Sequence, residues 1–279
     1  MKIILSRKGF DSSYGGYPSP ILPDGRLISL PIPSSDSATY EGLHLDGYNS
    51  YYDLMKSLKP NIRYYGSQHV LRQDTRCHLD PDIFRDVQKR DKGWKPMFGQ
   101  INQSQTHLKN QGVKEDDLFI FFGWFRRTKS NGTSLSFDGN EPDLHVMYGY
   151  LQIGLIKQVD NHCNIPCWMS SHPHTSRNRK NVPTNTIYVA RDTASWNADI
   201  PGAGVFRFGD ALILTKKGYS RSKWQLPEFF REVTISRHSA ASWNKEGYFK
   251  SVDIGQEFVI QDSNKVEDWA KSLIEENQI

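Results

Sequence analysis

Leu118-Phe119-Ile120-Phe121-Phe122-Gly123-Trp124-Phe125 is eight residues long, carries no charge and has only Gly123 to interrupt its apolar side chains. A half-exposed strand would alternate polar and apolar residues, so this nearly continuous run reads as a strand buried on both faces. Asp116-Asp117 opens it, and a polar excursion at 127–143 separates it from a second long β-like run at 144–159. These two strands set the fold class.

Working outward, Lys2-Ile3-Ile4-Leu5 reads as a short buried strand that empties into a polar loop at 6–16. Pro18-Ser19-Pro20 and Pro31-Ile32-Pro33 bracket a small hairpin with its turn at Pro23-Asp24-Gly25. Residues 49–58 predict a helix with Tyr52, Leu54, Met55 and Leu58 inward; another is expected at 104–109, ended by Gly112. Asp80 or Asp82 is expected to cap a helix-like stretch at 83–89. Further strands are expected at 186–190, 205–206, 211–215, 229–235 and 257–260. At 265–277, Val266, Trp269, Ala270, Leu273 and Ile274 recur at helical spacing behind Ser263 or Asn264 as N-cap. No repeat or long linker interrupts the chain. The reading is therefore one α+β unit over 1–279, with a β-rich centre at about 99–260, short peripheral helices and an amphipathic C-terminal helix.

Hydrophobic residues make up 37% of the 279 and charged residues 24%, with seven Trp, a composition that buries a core. No apolar run approaches the roughly 20 residues that cross a bilayer. Cys77, Cys163 and Cys167 are too few for a disulfide framework, so a cytoplasmic location and no membrane partner are expected. The net charge of +4 is unevenly spread: residues 171–250 hold thirteen Lys/Arg against six Asp/Glu, while 252–279 hold seven acidic and two basic residues. Such a basic stretch attracts polyanions; alternatively, it is a solvated surface.

The loop Ser6-Arg7-Lys8-Gly9-Phe10-Asp11-Ser12-Ser13-Tyr14-Gly15-Gly16 stacks cations, hydroxyls, a carboxylate and glycines behind a strand. Its backbone N–H groups can form an anion nest, with Ser6, Arg7, Lys8, Gly9, Ser12 and Gly16 as phosphate contacts and Asp11 as a catalytic carboxylate. It matches neither the P-loop nor the dinucleotide fingerprint, and a plain polar turn uses the same residues. His78-Leu79-Asp80-Pro81-Asp82 sets an imidazole beside two carboxylates, so His78 can act as acid/base oriented by Asp80, or the group can hold a hard cation. In Gly218-Tyr219-Ser220-Arg221-Ser222-Lys223-Trp224, Arg221 and Ser222 suit phosphate, and Trp224, like Trp124, offers a face for a base.

His162, Cys163, Cys167, His172 and His174 include zinc-type donors, yet Cys-x3-Cys-x4-His-x-His matches no common finger spacing, and no metal site is assigned. His172-Pro173-His174 reads better as a basic loop in which His174 is catalytic and Arg177, Arg179 and Lys180 contact nucleic-acid backbone. No cofactor or protein partner is indicated.

In their order along the chain, the loop at 6–16, Pro18-Ser19-Pro20-Ile21, Pro31-Ile32-Pro33, His78 to Asp82, Phe98-Gly99-Gln100, 117–126, His172-Pro173-His174 and Ser220-Arg221-Ser222-Lys223-Trp224 resemble the bacterial and phage family called nucleotide modification associated domain 3. The resemblance spans about 2–230 and implies a role in modifying nucleotides or nucleic-acid bases. The runs at 117–122 and 148–154 also resemble the paired strands of PUA-like barrels. Two functions compete: an enzyme of base modification, by transfer to a base or nucleotide or by glycosidic-bond chemistry, and a non-catalytic reader of modified bases in DNA or RNA.

Overall fold

The computed structural model of the chain describes residues 1–132, 134–252 and 255–279. Nine strands form its main sheet: β1 (Ile3–Arg7), β2 (Ser19–Ile21), β3 (Met97–Gln100), β4 (Leu118–Ser130), β5 (Leu135–Phe137), β6 (Leu144–Gln158), β7 (Thr186–Ala190), β8 (Ala203–Val205) and β9 (Glu257–Ile260). They run in the order β9-β1-β4-β6-β7-β3, with β2 and β5 attached to β4 and β8 to β6. The apolar run at 118–125 is central because it pairs on both sides, parallel to β1 and antiparallel to β6. Leu118, Phe119, Ile120, Phe121 and Phe122 are fully buried, each contributing about 1.5–3 kcal/mol by leaving water.

The sheet is curled. Phe98 on β3 lies three strand steps from β4, about 14 Å on a flat sheet. Its ring centroid is nevertheless 5.0 Å from that of Phe119 and 5.4 Å from that of Phe121. The two ends of the strand path meet through side chains, Gln100 Nε2 on β3 donating to Glu257 Oε1 on β9 at 2.7 Å. Among the described residues no backbone ladder joins them, and the PUA-like barrel resemblance is not confirmed.

Among the described residues four helices lie outside the sheet: α1 (Tyr51–Leu58), α2 (Asn102–Asn110), the single turn α3 (Arg177–Lys180) and α4 (Asn264–Asn277). The Ser50 side chain caps α1 by accepting the Asp53 N–H, and Tyr51, Leu54 and Met55 face inward while Tyr52 and Leu58 are half-buried. A second hydrophobic cluster, including Phe10, Tyr40, Leu54 and the fully buried Cys77, packs beneath α1. The Pro23-Asp24-Gly25 turn forms, with the Gly25 N–H donating to the Leu22 carbonyl. No helix among the described residues is long and apolar enough to cross a membrane.

Three expected elements are different. Residues 211–215 make only single bridges, Val146 to Ile213 and Thr215 to Trp224, next to a 3-10 turn at Asp210–Leu212. Residues 229–235 fall largely in a 3-10 turn, Glu228–Glu232, started by Pro227, whose fixed φ and missing N–H suit a turn rather than a ladder. Helix 83–89 shrinks to the turn Arg85–Val87, and Asp82 caps nothing: its carboxylate takes a two-pronged bond from Arg90 at 2.7 and 2.5 Å.

A buried imidazole and carboxylate cluster and an open cleft

Strands Ile32–Thr39 and Arg76–His78 pair antiparallel, but Pro33 and Ala38 both face Cys77, so residues 34–37 are looped out of the ladder. That irregularity carries Asp36 to His78, whose Nδ1 is 2.8 Å from Asp36 Oδ2. Arg179 of α3 reaches the same carboxylate oxygen at 3.1 Å. Asp80, two residues on, lies at the centre of three imidazoles. Its Oδ1 accepts the Gly99 N–H at 2.9 Å and is 3.3 Å from His172 Nε2. Its Oδ2 is 3.5 Å from His78 Nε2 and 3.6 Å from His174 Nε2.

His172 and His174 come from one turn, Pro173–Thr175, in which His172 Nδ1 accepts the His174 N–H at 3.2 Å. His174 Nδ1 meets Asn185 Oδ1 at 2.7 Å. Gly99 makes this packing possible: a Cβ there would lie 2.3 Å from His174 Cδ2. Burial would raise the Asp80 carboxyl, but the facing His172 and His78 imidazoles hold it well below the usual carboxylate range. Burial opposes charge on His78 too, yet Asp36 and Asp80 outweigh it and lift its pKa. His174 is pushed well below the ordinary histidine value by burial, which the charge of Asp80 does not offset. His78, Asp80 and His174 also present three ligand atoms within 4.8 Å of one another.

Asp80 borders a largely apolar cavity of about 110 Å³ lined also by Gly9, Ser29, Leu79 and Tyr148. Tyr148 is the extra residue of a bulge between β6 and β4, where bulges re-aim side chains. Its buried hydroxyl makes no well-formed hydrogen bond among the described residues.

The loop that supplies Gly9 to the cavity supplies Arg7, Phe10, Asp11, Ser12 and Ser13 to an open cleft of about 590 Å³, whose other wall is Trp124, His145 and residues 219–222. Arg221 ties the walls together: its guanidinium lies 4.1 Å from the Trp124 ring centroid, and Nη2 donates to Ser12 Oγ at 3.0 Å. Asp11 Oδ1 accepts the N–H groups of Ser13 and Tyr14 at 2.7 and 2.6 Å, fixing the loop's turn. Arg7 Nη2 donates to the Gly255 carbonyl at 2.6 Å. Ser222 Oγ accepts from Lys250 at 2.7 Å.

The sequence-predicted residues thus separate into two groups: Arg7, Asp11, Ser12, Trp124, Arg221 and Ser222 in the cleft, and His78, Asp80 and His174 in the cluster, with Gly9 on the cavity beside Asp80. Others are held elsewhere. Lys8 forms a buried pair with Glu257 at 2.8 Å and lies over the Phe98 ring; Ser6 is fully buried; Gly16, at φ +81°, packs on Arg63. Trp224 is 1% exposed, with Phe122, Phe249 and Phe258 around it, so it is core rather than an open stacking face. On α3, Arg177 is exposed and Lys180 half-buried, whereas Arg179 is committed to Asp36. Cys163 and Cys167 join no group of three or more possible metal ligands among the described residues.

Asp36, Gly99, His145, Tyr148 and Asn185 escaped the sequence reading as site residues. Gly99 carries a signal, since Phe98-Gly99-Gln100 is among the motifs of the family resemblance, and each residue of that motif has a place: Phe98 under Lys8, Gly99 under His174, Gln100 on Glu257. No curated protein and no solved structure matches this chain. The family model for nucleotide modification associated domain 3 matches residues 2–261, nearly the whole length and all of the cluster and cleft, so the chain belongs to that family.

Proposed function

We propose that this protein is an enzyme that modifies a nucleotide or a base within nucleic acid, and that its ligand lies in the cleft between residues 7–13 and 219–222. One observation carries the reading: Arg221, stacked on Trp124 and bonded to Ser12, sets a guanidinium, a hydroxyl and an aromatic edge in one cleft. A planar guanidinium suits a phosphate, and an aromatic beside it suits a base. Gly9 of the same loop lines the cavity that Asp80 and Tyr148 also border, so the reading puts the acid–base chemistry that transfer to a base or glycosidic cleavage requires on that side of the loop.

Thermal shift and mass spectrometry of the purified protein with nucleotides, NAD and modified or unmodified DNA test this reading. A stabilising ligand is expected to bind about 10–100-fold more weakly to Arg221→Ala, the worth of one charge-assisted phosphate contact. Unchanged affinity in that variant counts against the cleft. Tight binding of modified DNA with no turnover favours a non-catalytic reader instead.

A further inference from the structure

We infer that His78, Asp80 and His174 bind one divalent first-row transition ion, such as Zn²⁺ or Fe²⁺, through two imidazole nitrogens and a single carboxylate oxygen. The inference goes beyond the nucleotide reading and does not rest on it.

The hydrogen-bond network fixes which atoms carry lone pairs. The Asn185 amide donates to the carbonyls of Val159 and His174 at 2.9 and 2.8 Å, so its Oδ1 is the acceptor left for His174 Nδ1–H. His174 Nε2 therefore presents a lone pair. His78 Nδ1 lies 2.8 Å from the Asp36 carboxylate, a much closer partner than the Arg179 guanidinium at 3.4 Å, and with its N–H given to Asp36 the Nε2 is left for a ligand. Both nitrogens point at Asp80 Oδ2, an anionic oxygen, from 3.5 and 3.6 Å. Lone pairs converging on an anion repel unless a cation lies among them. A proton on His78 answers only one of the two contacts, and charge-assisted N–H···O bonds close to about 2.7–2.9 Å. An ion at 2.0–2.2 Å from tetrahedral ligands instead holds them about 3.3–3.6 Å apart, the separation found here between Asp80 Oδ2 and each of the two imidazole nitrogens. All three ligand atoms lie within 4.8 Å of one another.

The surroundings supply what such a site requires. Each ligating imidazole hands its other N–H to an oxygen, Asp36 for His78 and Asn185 for His174, as metal-bound histidines do. Asp80 Oδ1 is occupied by the Gly99 N–H and faced by His172, a buried side chain whose Nε2 makes no well-formed hydrogen bond, so Oδ2 is the oxygen left to coordinate. The His172 Nδ1 accepts a backbone N–H, which keeps Nε2 protonated and makes His172 a neighbour of the ion rather than a ligand. A mixed imidazole and carboxylate set favours zinc or ferrous iron over magnesium or calcium.

The test begins with chelator-treated full-length protein titrated with Zn²⁺, and with Fe²⁺ under anaerobic conditions, in a calorimeter. One ion per chain is expected, with affinity at least 100-fold lower in His174→Ala and Asp80→Asn, 10–100-fold lower in Asn185→Ala, and unchanged in a Cys163→Ser, Cys167→Ser double variant. Absence of stoichiometric binding by either ion, or wild-type affinity in the ligand variants, overturns the inference. Should those variants fail to fold, anomalous diffraction from wild-type crystals grown with Zn²⁺ decides: a peak within bonding distance of His78, Asp80 and His174 supports the site, and its absence there rejects it.

Discussion

His145 accepts the Trp224 indole proton at 3.0 Å and is 4% exposed, and burial, aided by Arg7, Arg221 and Lys250, depresses its pKa to about 3. A histidine with its folded pKa below its unfolded value adds stability that is present above about pH 6.5 and lost as pH falls from there toward 3. The slope from this group approaches about 1.4 kcal/mol per pH unit at most. His145→Gln keeps an acceptor for Trp224 and removes the titration. Urea midpoints between pH 6.5 and 4.5 should therefore fall less steeply in the variant than in the wild type, and parallel slopes would contradict the buried neutral imidazole. The same contact explains why Trp224 misleads in the sequence: Arg221 and Lys223 just before it make it resemble a ligand platform, while alternation along Lys223–Trp224 turns the indole into the core. Asp36 and Asn185 give no sequence signal at all, because a side chain that orients a histidine is recognised only by what it touches in space.

At the scale of elements, β3 contributes chiefly through a residue with no side chain. Any Cβ at Gly99 meets the His174 ring, which Asn185 and the turn Pro173–Thr175 hold in place. Gly99→Ala should cost about 1–3 kcal/mol, the range for overpacking a tight interior. Gly139→Ala, where a Cβ has nothing within 4 Å, should stay within about 0.5 kcal/mol. Comparing the two variants by urea denaturation checks the account; equal stabilities would show that the ring moves aside freely. Strands β4 and β6 are legible because long apolar runs need two-sided burial, and α1 and α4 because their apolar residues recur at helical spacing. Residues 211–215 and 229–235 also hold apolar side chains, and bury Leu212, Leu214, Phe230 and Ile235, but they lie beside Gly209 and Pro227 and form no ladder. Composition reports burial, and hydrogen-bond pairing is a separate matter.

Across the whole molecule, the sheet joins segments far apart in sequence: β1 lies between β4 and β9, and the Glu257 carboxylate on β9 receives both Lys8 and Gln100. Removing residues 255–279 takes away β9 and α4 together, exposes one edge of β1 and leaves Lys8 buried without its counter-charge. The shortened chain should show neither a cooperative urea transition nor sharp near-ultraviolet circular dichroism, and a native-like transition would contradict this account of the sheet. The order of pairing also bears on how the protein is made. A ribosome adding about 5–20 residues per second needs roughly 10–50 s to travel from β1 to β9. Throughout that interval the apolar strand Ile3–Arg7 waits without its last partner, so synthesis, more than sequence, sets how long this chain depends on whatever shields nascent β-strands in the cell.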